Sequence, residues 1–379
     1  MKPAVIKVGL GATMVEPGLT GGRLDGIGVY TRALMQHLPG SGCEVAPYSW
    51  PRPRQGKAGI SVGQAFPGSF EAASLIELVT PTAHRVHMPR DIFHVTDYRV
   101  VRMDCPVVAT LHDALPIKHP EWCNPRLRTL KNWLQIKAAR KADHVIAVSH
   151  FAVEELVDCF GIDERRVSVV PNGVDAAWLA APDPQAVDAT LASHGLQPGY
   201  FLFVGTLQPR KNVERVLDAY LKLPAPLRAE RGLVVVGAPG ARSEALVAAL
   251  KGARAAGENV VWLDRLTDDA QLRHLYAGAG VFVFPSLYEG YGIPVLEAFA
   301  SNVPVVTSNV TSLPEVAGDA ALLVDPLSIG DIGDAMRMLA TDGVARARCI
   351  AAGRARAEQL TWQHTARLTA QVYRAVLSQ

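Results

Sequence analysis

Val281-Phe282-Val283-Phe284-Pro285-Ser286-Leu287-Tyr288-Glu289-Gly290-Tyr291-Gly292-Ile293-Pro294-Val295-Leu296-Glu297 reads as an apolar strand, a glycine-rich turn and the opening of a helix. The first four residues are β-branched or aromatic, as strands prefer. Gly290 and Gly292 let the backbone approach a ligand without Cβ hindrance, and Pro294 suits the first helical position. The N–H groups of a first helical turn, with the positive end of the dipole, attract an anion. The layout is that of a phosphate site. Seven residues separate Glu289 from Glu297, which places Glu297 about one turn inside the helix, where it could accept hydrogen bonds from ligand hydroxyls. A lone glutamate there would only favour the dipole; the pair and the glycines together point to a site.

A second segment has the same design. Tyr200-Phe201-Leu202-Phe203-Val204 reads as a buried strand and runs through Gly205-Thr206 to Arg210-Lys211-Asn212. Asn212 is a good N-cap, and Val213, Val216, Leu217 and Tyr220 recur at the spacing of one helical face. Arg210 and Lys211 therefore stand at a helix entrance. A planar fork and a compact point charge in one small volume suit a diphosphate and could stabilise a leaving group as its charge develops.

Outward from these segments, short β-rich runs alternate with helical patterns in both halves, which predicts two parallel sheets covered by helices. Strands are expected at 5–10, 43–48, 91–95, 107–111, 144–148 and 166–170, then at 200–204, 233–236, 260–263, 281–284, 303–307 and 321–324. A Pro- and Ala-rich stretch from Ala176 to Gly199 suggests the linker, giving domains of 1–185 and 186–379, and the final helix from Trp362 to Leu377 is compatible with either. Ligands of open α/β sheets lie beyond the carboxyl ends of strands, and both segments fall there. At 379 residues, 49% hydrophobic and 20% charged, the chain is globular, and a net charge of +2 gives no global sign of a nucleic-acid binder. Five scattered cysteines, an N-terminus that enters a strand directly and no run of 18 apolar residues point to a cytoplasmic protein.

The first half offers less specific signals. Gly21 to Tyr30 is a glycine-rich loop, with Gly26 and Gly28, entering a helix that carries Tyr30, Leu34 and His37; it could close over a phosphate or a sugar, or mark only a tight turn. In Thr110-Leu111-His112-Asp113, His112 follows a strand and can donate or accept near neutral pH, while Asp113 could fix its tautomer or cap the next element. Asn172-Gly173 reads first as a turn. From a cap at Asn124, a helix with the stripe Leu127, Leu130, Trp133, Leu134 and Ala138 is surrounded by Arg126, Arg128, Lys131, Lys137, Arg140 and Lys141. It could rest on an anionic membrane surface or pack its stripe on the core. The chain has no Asp-x-Asp triplet, Walker motif, nucleophile elbow or His/Cys cluster.

Together, Glu289-x7-Glu297, Gly205-Thr206-x3-Arg210-Lys211-Asn212, Val169 to Asp175, and the block from Leu111-His112-Asp113 through His119-Pro120 to Val145–Ser149 resemble the group 1 family of retaining glycosyltransferases over nearly the whole chain. The resemblance implies the GT-B fold: two Rossmann-like domains facing an interdomain cleft, acceptor on the N-terminal one and donor on the C-terminal one. It implies transfer of a sugar from a nucleotide diphosphate-sugar to a glycan or lipid-linked hydroxyl, with retention, no cofactor and no metal. Arg210 and Lys211 match the pair that binds the diphosphate, Glu297 the ribose ligand, and Glu289 and His112 the groups beside the donor sugar. Gly290, Tyr291, Gly292, Ile293, Gly205 and Thr206 would form the donor loops. Asp25-Gly26-Ile27-Gly28 stands where relatives often read Gly-Gly-Ile-Gly, so the contacts of Gly26 and Gly28 follow less directly. Relatives with this His-Asp block often build bacterial surface polysaccharides, which makes GDP-mannose the first donor to try and the inner face of the plasma membrane a plausible address. A sugar-nucleotide 2-epimerase or a non-catalytic sugar-nucleotide-binding subunit would show similar motifs.

Overall fold

Two parallel sheets organise the chain in a computed structural model that describes residues 5–22, 24–52, 59–80, 85–123, 128–266 and 268–379. The first contains β1 (Ile6–Gly11), β2 (Cys43–Ser49), β3 (Gln64–Ala65), β4 (Ile92–Val95), β5 (Val107–Leu111), β6 (His144–Ala147) and β7 (Val167–Val169) in the order β3-β2-β1-β4-β5-β6-β7. The second contains β8 (Tyr200–Val204), β9 (Leu233–Val236), β10 (Val260–Leu263), β11 (Ala279–Phe284), β12 (Val305–Ser308) and β13 (Ala321–Val324) in the order β10-β9-β8-β11-β12-β13. Parallel strands need helical crossovers, which cover both faces; β4, β5, β9 and β11 are accordingly buried along their whole length. The expected strands are present with ends shifted by a residue or two, and β3, a two-residue edge, is additional. Buried Glu16 holds the approach to β3, accepting from Ser49 Oγ at 2.6 Å and from the amides of Ser61, Val62 and Gly63 at 2.7, 2.9 and 2.7 Å.

The chain divides into one unit of residues up to Gly173 together with Trp362–Gln379, and another of Val174–Thr361. This differs from a boundary at 185/186. The Pro- and Ala-rich stretch is not a linker: Asp183 caps a helix, Pro184–Ser193, that packs on the helix Asp269–Gly278 of the second unit. Leu191 is buried there and Thr190 Oγ1 lies 2.7 Å from His274 Nδ1. The Val174 amide donates to Leu360 O at 2.9 Å, so the second unit begins and ends on paired backbone. The helix Trp362–Leu377 belongs to the first unit, packed on the helix Gly26–His37. Tyr373 Oη lies 2.6 Å from His94 Nδ1 on β4, and Thr365 Oγ1 donates to Pro171 O at 2.8 Å.

The basic helix runs Arg128–Ala139; its expected start at Asn124 and Pro125, with Arg126 and Leu127, lies outside the described residues. Ala138 is buried as a core-facing stripe requires, but Trp133 is 42% exposed, with Lys137 Nζ 6.0 Å from its ring centroid. Just past its end two cations turn inward: Lys141 pairs with buried Glu77 at 2.6 Å and Arg140 donates to Phe160 O at 2.6 Å.

Candidate active site

In the second sheet β8 lies between β9 and β11, so the connections leaving their carboxyl ends diverge and open a crevice at that edge. Both sequence segments arrive there. After β8 the chain passes Gly205 and exposed Thr206, makes a 3-10 turn over Pro209–Lys211 and enters the helix Val213–Leu221. The turn is braced by the loop after β9, where Leu207 N donates to Ala238 O and Gly240 N to Leu207 O, each at 2.9 Å. Gly237 makes this approach possible: a Cβ there would stand 1.9 Å from Gly205 O.

Asn212 occupies the cap position but does not cap. Its backbone is left-handed, with φ of 61°, and its side-chain amide donates instead to Pro285 O at 2.9 Å and Pro326 O at 2.7 Å. It thereby ties the cationic turn to the loops following β11 and β13. Leu287 N donates to Arg210 O at 2.7 Å, completing the tie.

The cations and the first acid meet. Lys211 Nζ donates to Glu289 Oε1 at 2.6 Å, and Arg210 Nη1 donates to Glu289 Oε2 at 3.0 Å and to Tyr288 O at 3.0 Å. Lys211 Nζ also lies 4.9 Å from the centre of the Phe284 ring. Lys211 and Glu289 are buried. Burial alone would raise the Glu289 carboxyl, but the Lys211 and Arg210 charges outweigh it and hold the group below the usual carboxylate range.

Beyond Glu289, the turn is held by Ser312, whose Oγ lies 2.9 Å from Glu289 O and 2.7 Å from Tyr291 O. Gly290 and Tyr291 are buried, and Gly292 precedes the helix with φ of 121°, a conformation that favours glycine. The helix is Ile293–Ala300, so Ile293 takes its first position and Pro294 the second rather than the first. Glu297 is half-buried in this helix and accepts from Tyr276 Oη at 3.1 Å. Burial pushes its carboxyl up to about 7, with the Tyr276 hydroxyl pulling down and Asp269 adding to the rise.

The sites expected in the first unit are of another kind. His112 follows β5, with Nε2 3.2 Å from Thr96 O and its ring edge-on to Tyr30 at 5.0 Å. Burial lowers its basicity more than Asp113 and other acids restore it, so the ring is neutral near pH 7. Donation from Nε2 to the Thr96 carbonyl leaves Nδ1 as acceptor. Ala114 holds the cap position of the helix Leu115–Lys118, and Asp113 one residue earlier accepts through Oδ1 from Leu115 N at 3.0 Å and Tyr98 Oη at 3.2 Å. Asp25 caps the helix Gly26–His37 by accepting from Gly28 N at 2.9 Å. Gly28 is a packing residue, since a Cβ would fall 2.9 Å from Met14 O, whereas Gly26 faces open space.

Several residues that shape the site were not expected from sequence: Tyr276 on Glu297, Ser312 on the acid turn and Gly237 beneath Gly205. The run Gly237-Ala238-Pro239-Gly240 after an apolar strand is a legible signal for the last of these. Among the described residues, no group of three His, Cys, Asp or Glu is placed to hold a metal, and no helix is long and apolar enough to cross a membrane. Chemically, a buried and a half-buried cation sharing one carboxylate at a sheet's switch point can bind a polyanion and take up charge on a leaving phosphate.

The family model described as "Glycosyl transferases group 1" matches residues 191–356, and that described as "Glycosyltransferase Family 4" matches residues 24–178. The O-antigen chain mannosyltransferase B of Escherichia coli is 31% identical over 75% of this chain and 74% of its own. Among solved structures, sucrose-phosphate synthase of Thermosynechococcus elongatus superimposes with a TM-score of 0.75 at 18% identity, covering 98% of this chain and 99% of that one. Anabaena HepE in complex with UDP-glucose gives 0.74 at 17% identity, covering 99% and 100%. At such identities the structural likeness shows the fold alone.

Proposed function

This chain belongs to the group 1 glycosyltransferases and has their GT-B fold, and from that premise we propose that it is a retaining, metal-independent hexosyltransferase using a nucleotide diphosphate-sugar. GDP-mannose is the first donor to try, and the acceptor is a hydroxyl of a glycan or lipid-linked glycan of a bacterial surface polysaccharide. The relative named as an O-antigen chain mannosyltransferase supports this choice. The observation that carries the reading is the convergence of Arg210 and Lys211 on Glu289 at the switch point of the second sheet.

In this reading the diphosphate lies against Arg210 and Lys211, whose charges stabilise it as it leaves. Glu297 accepts from the ribose hydroxyls, Glu289 from the donor sugar, and Gly205, Thr206, Gly290, Tyr291, Gly292 and Ile293 supply the surrounding backbone. In the first unit, the neutral His112 can accept from a sugar hydroxyl at Nδ1, and the loop at Gly26 and Gly28 can close over a phosphate or a sugar. The acceptor hydroxyl attacks on the face the diphosphate leaves, and a departing phosphate oxygen takes its proton, so no side-chain nucleophile is required. Exposed Trp133, with Lys137 beside it, supports a peripheral position on the inner face of the plasma membrane.

The test is incubation with GDP-mannose and other nucleotide sugars, with and without a mannose-terminated acceptor and with a chelator, reading the product anomer by NMR. Transfer with the donor's anomeric configuration, unaffected by chelator, is expected. An inverted product, conversion of donor alone to its 2-epimer, or donor binding with no transfer to any acceptor would each contradict it.

A further inference from the structure

Each carboxylate oxygen of Glu289 serves one cation, Oε1 the Lys211 ammonium and Oε2 the Arg210 guanidinium, and these side chains are only 10, 11 and 18% exposed. A donor diphosphate in the site proposed above needs the same two cations. In so enclosed a volume, phosphate and carboxylate repel strongly if both lie against them. Binding is therefore an exchange of counter-ions. For a bare diphosphate the exchange is unfavourable on the carboxylate's side, because a buried Glu289 loses both of its cations. A diphosphate that carries a sugar brings hydroxyls next to the phosphate, and these can donate to the displaced carboxylate.

We propose that Glu289 is the specificity-determining counter-ion of this site: its carboxylate leaves Arg210 and Lys211 when sugar hydroxyls take it over, so the site holds a nucleotide diphosphate-sugar more tightly than the nucleotide diphosphate. The inference rests on the donor-site reading. After transfer the sugar is gone, Glu289 returns to the two cations, and the product diphosphate loses its contacts. Easy release of product and the weaker hold on free nucleotide then have one cause. The backbone favours such a movable side chain on a fixed base: the Glu289 carbonyl is held by Ser312, and the neighbouring Tyr288 carbonyl accepts from Arg210.

Isothermal titration of GDP, UDP and their mannose and glucose conjugates into wild type, Glu289→Gln and Glu289→Asp tests it, with melting curves to show that each variant is folded. Glu289→Gln should bind the nucleoside diphosphate roughly tenfold tighter than wild type, the equivalent of one charge-assisted hydrogen bond no longer competing. Its affinity for the sugar conjugate should fall, so the preference for the conjugate collapses. Equal or weaker binding of the nucleoside diphosphate by Glu289→Gln would show that Glu289 is only a brace. Should Glu289→Gln fail to fold, Glu289→Asp decides, since its shortened carboxylate reaches the cations poorly; tighter nucleotide binding supports exchange and unchanged or weaker binding overturns it. If wild type binds neither GDP nor UDP, the donor-site reading itself falls, and this inference with it.

Discussion

In the second unit the buried polar centre is ionic, built from Arg210, Lys211 and Glu289; in the first it is neutral, built from His94, Thr110, Tyr30 and Tyr373. Thr110 Oγ1 lies 2.8 Å from Tyr30 Oη and 2.7 Å from His94 Nε2, and burial lowers the His94 ring to about 3, so it carries no charge. Both sheets turn at the same switch point, with the first strand of each unit between its second and fourth. The fold therefore does not decide which centre is built; the residues after the strands do. A neutral network fixes geometry at modest desolvation cost. A buried ion triad is costly for stability alone, and it stands at the switch point of its sheet, the edge where open α/β sheets take ligands.

The contrast can be broken most sharply at Lys211. Lys211→Ala should lower turnover by roughly 10²- to 10³-fold, the loss expected for one preorganised charge-stabilising group, and steady-state kinetics near the wild-type rate would end the claim that the second centre carries the chemistry. His112→Ala removes a single neutral hydrogen bond, so a loss of about tenfold is expected; a loss as large as that of Lys211→Ala would make the first unit an equal partner in the chemistry.

A subtler division lies within the second unit, between Glu289, held ionised by its cations, and Glu297, raised to about 7 by burial. Ionised Glu297 is the better acceptor for ribose hydroxyls, so the donor KM should rise up to about tenfold as pH falls from 8 to 6. Glu297→Gln should flatten this profile, and an unchanged profile in the variant would assign the titration elsewhere. The sign for stability is opposite. A carboxyl raised in the fold contributes stability that is full below its unfolded value of 4.5 and is lost as pH rises through about 7.

Smaller effects probe the first unit. Tyr373→Phe leaves His94 Nδ1 without its hydroxyl partner and should cost about 1–3 kcal/mol in a denaturant titration, with turnover within about twofold of wild type if the network is structural. Lys137→Gln should reduce flotation with anionic liposomes by about 1 kcal/mol of binding, the usual share of one surface cation. Lys141 is a poor probe of the same idea, because its ammonium holds buried Glu77.

Much of the second centre was legible because its chemistry is local: an apolar strand, glycines and charged residues follow one another within each segment. The convergence of Arg210 and Lys211 on Glu289 spans about eighty residues, yet each partner stands at the end of a strand, and adjacent parallel strands bring such ends together. The neutral centre was not legible. His94 sits inside the apolar run Ile92-Phe93-His94-Val95 and reads as an ordinary buried histidine, while its partner Tyr373 lies on the far side of the second unit in sequence. Asn212 misled because its composition fits a cap, whereas its left-handed backbone directs the amide to two loop carbonyls. The linker misled because proline and alanine also begin and fill helices, as Pro184–Ser193 does.

The most direct test of the central claim is titration of GDP and UDP into wild type and into the Arg210→Ala/Lys211→Ala double variant. The ionic centre as diphosphate site predicts that wild type binds at least one of the two and that the double variant binds it at least about 100-fold more weakly, the loss of two charge-assisted contacts. An affinity unchanged by removing both cations would contradict it.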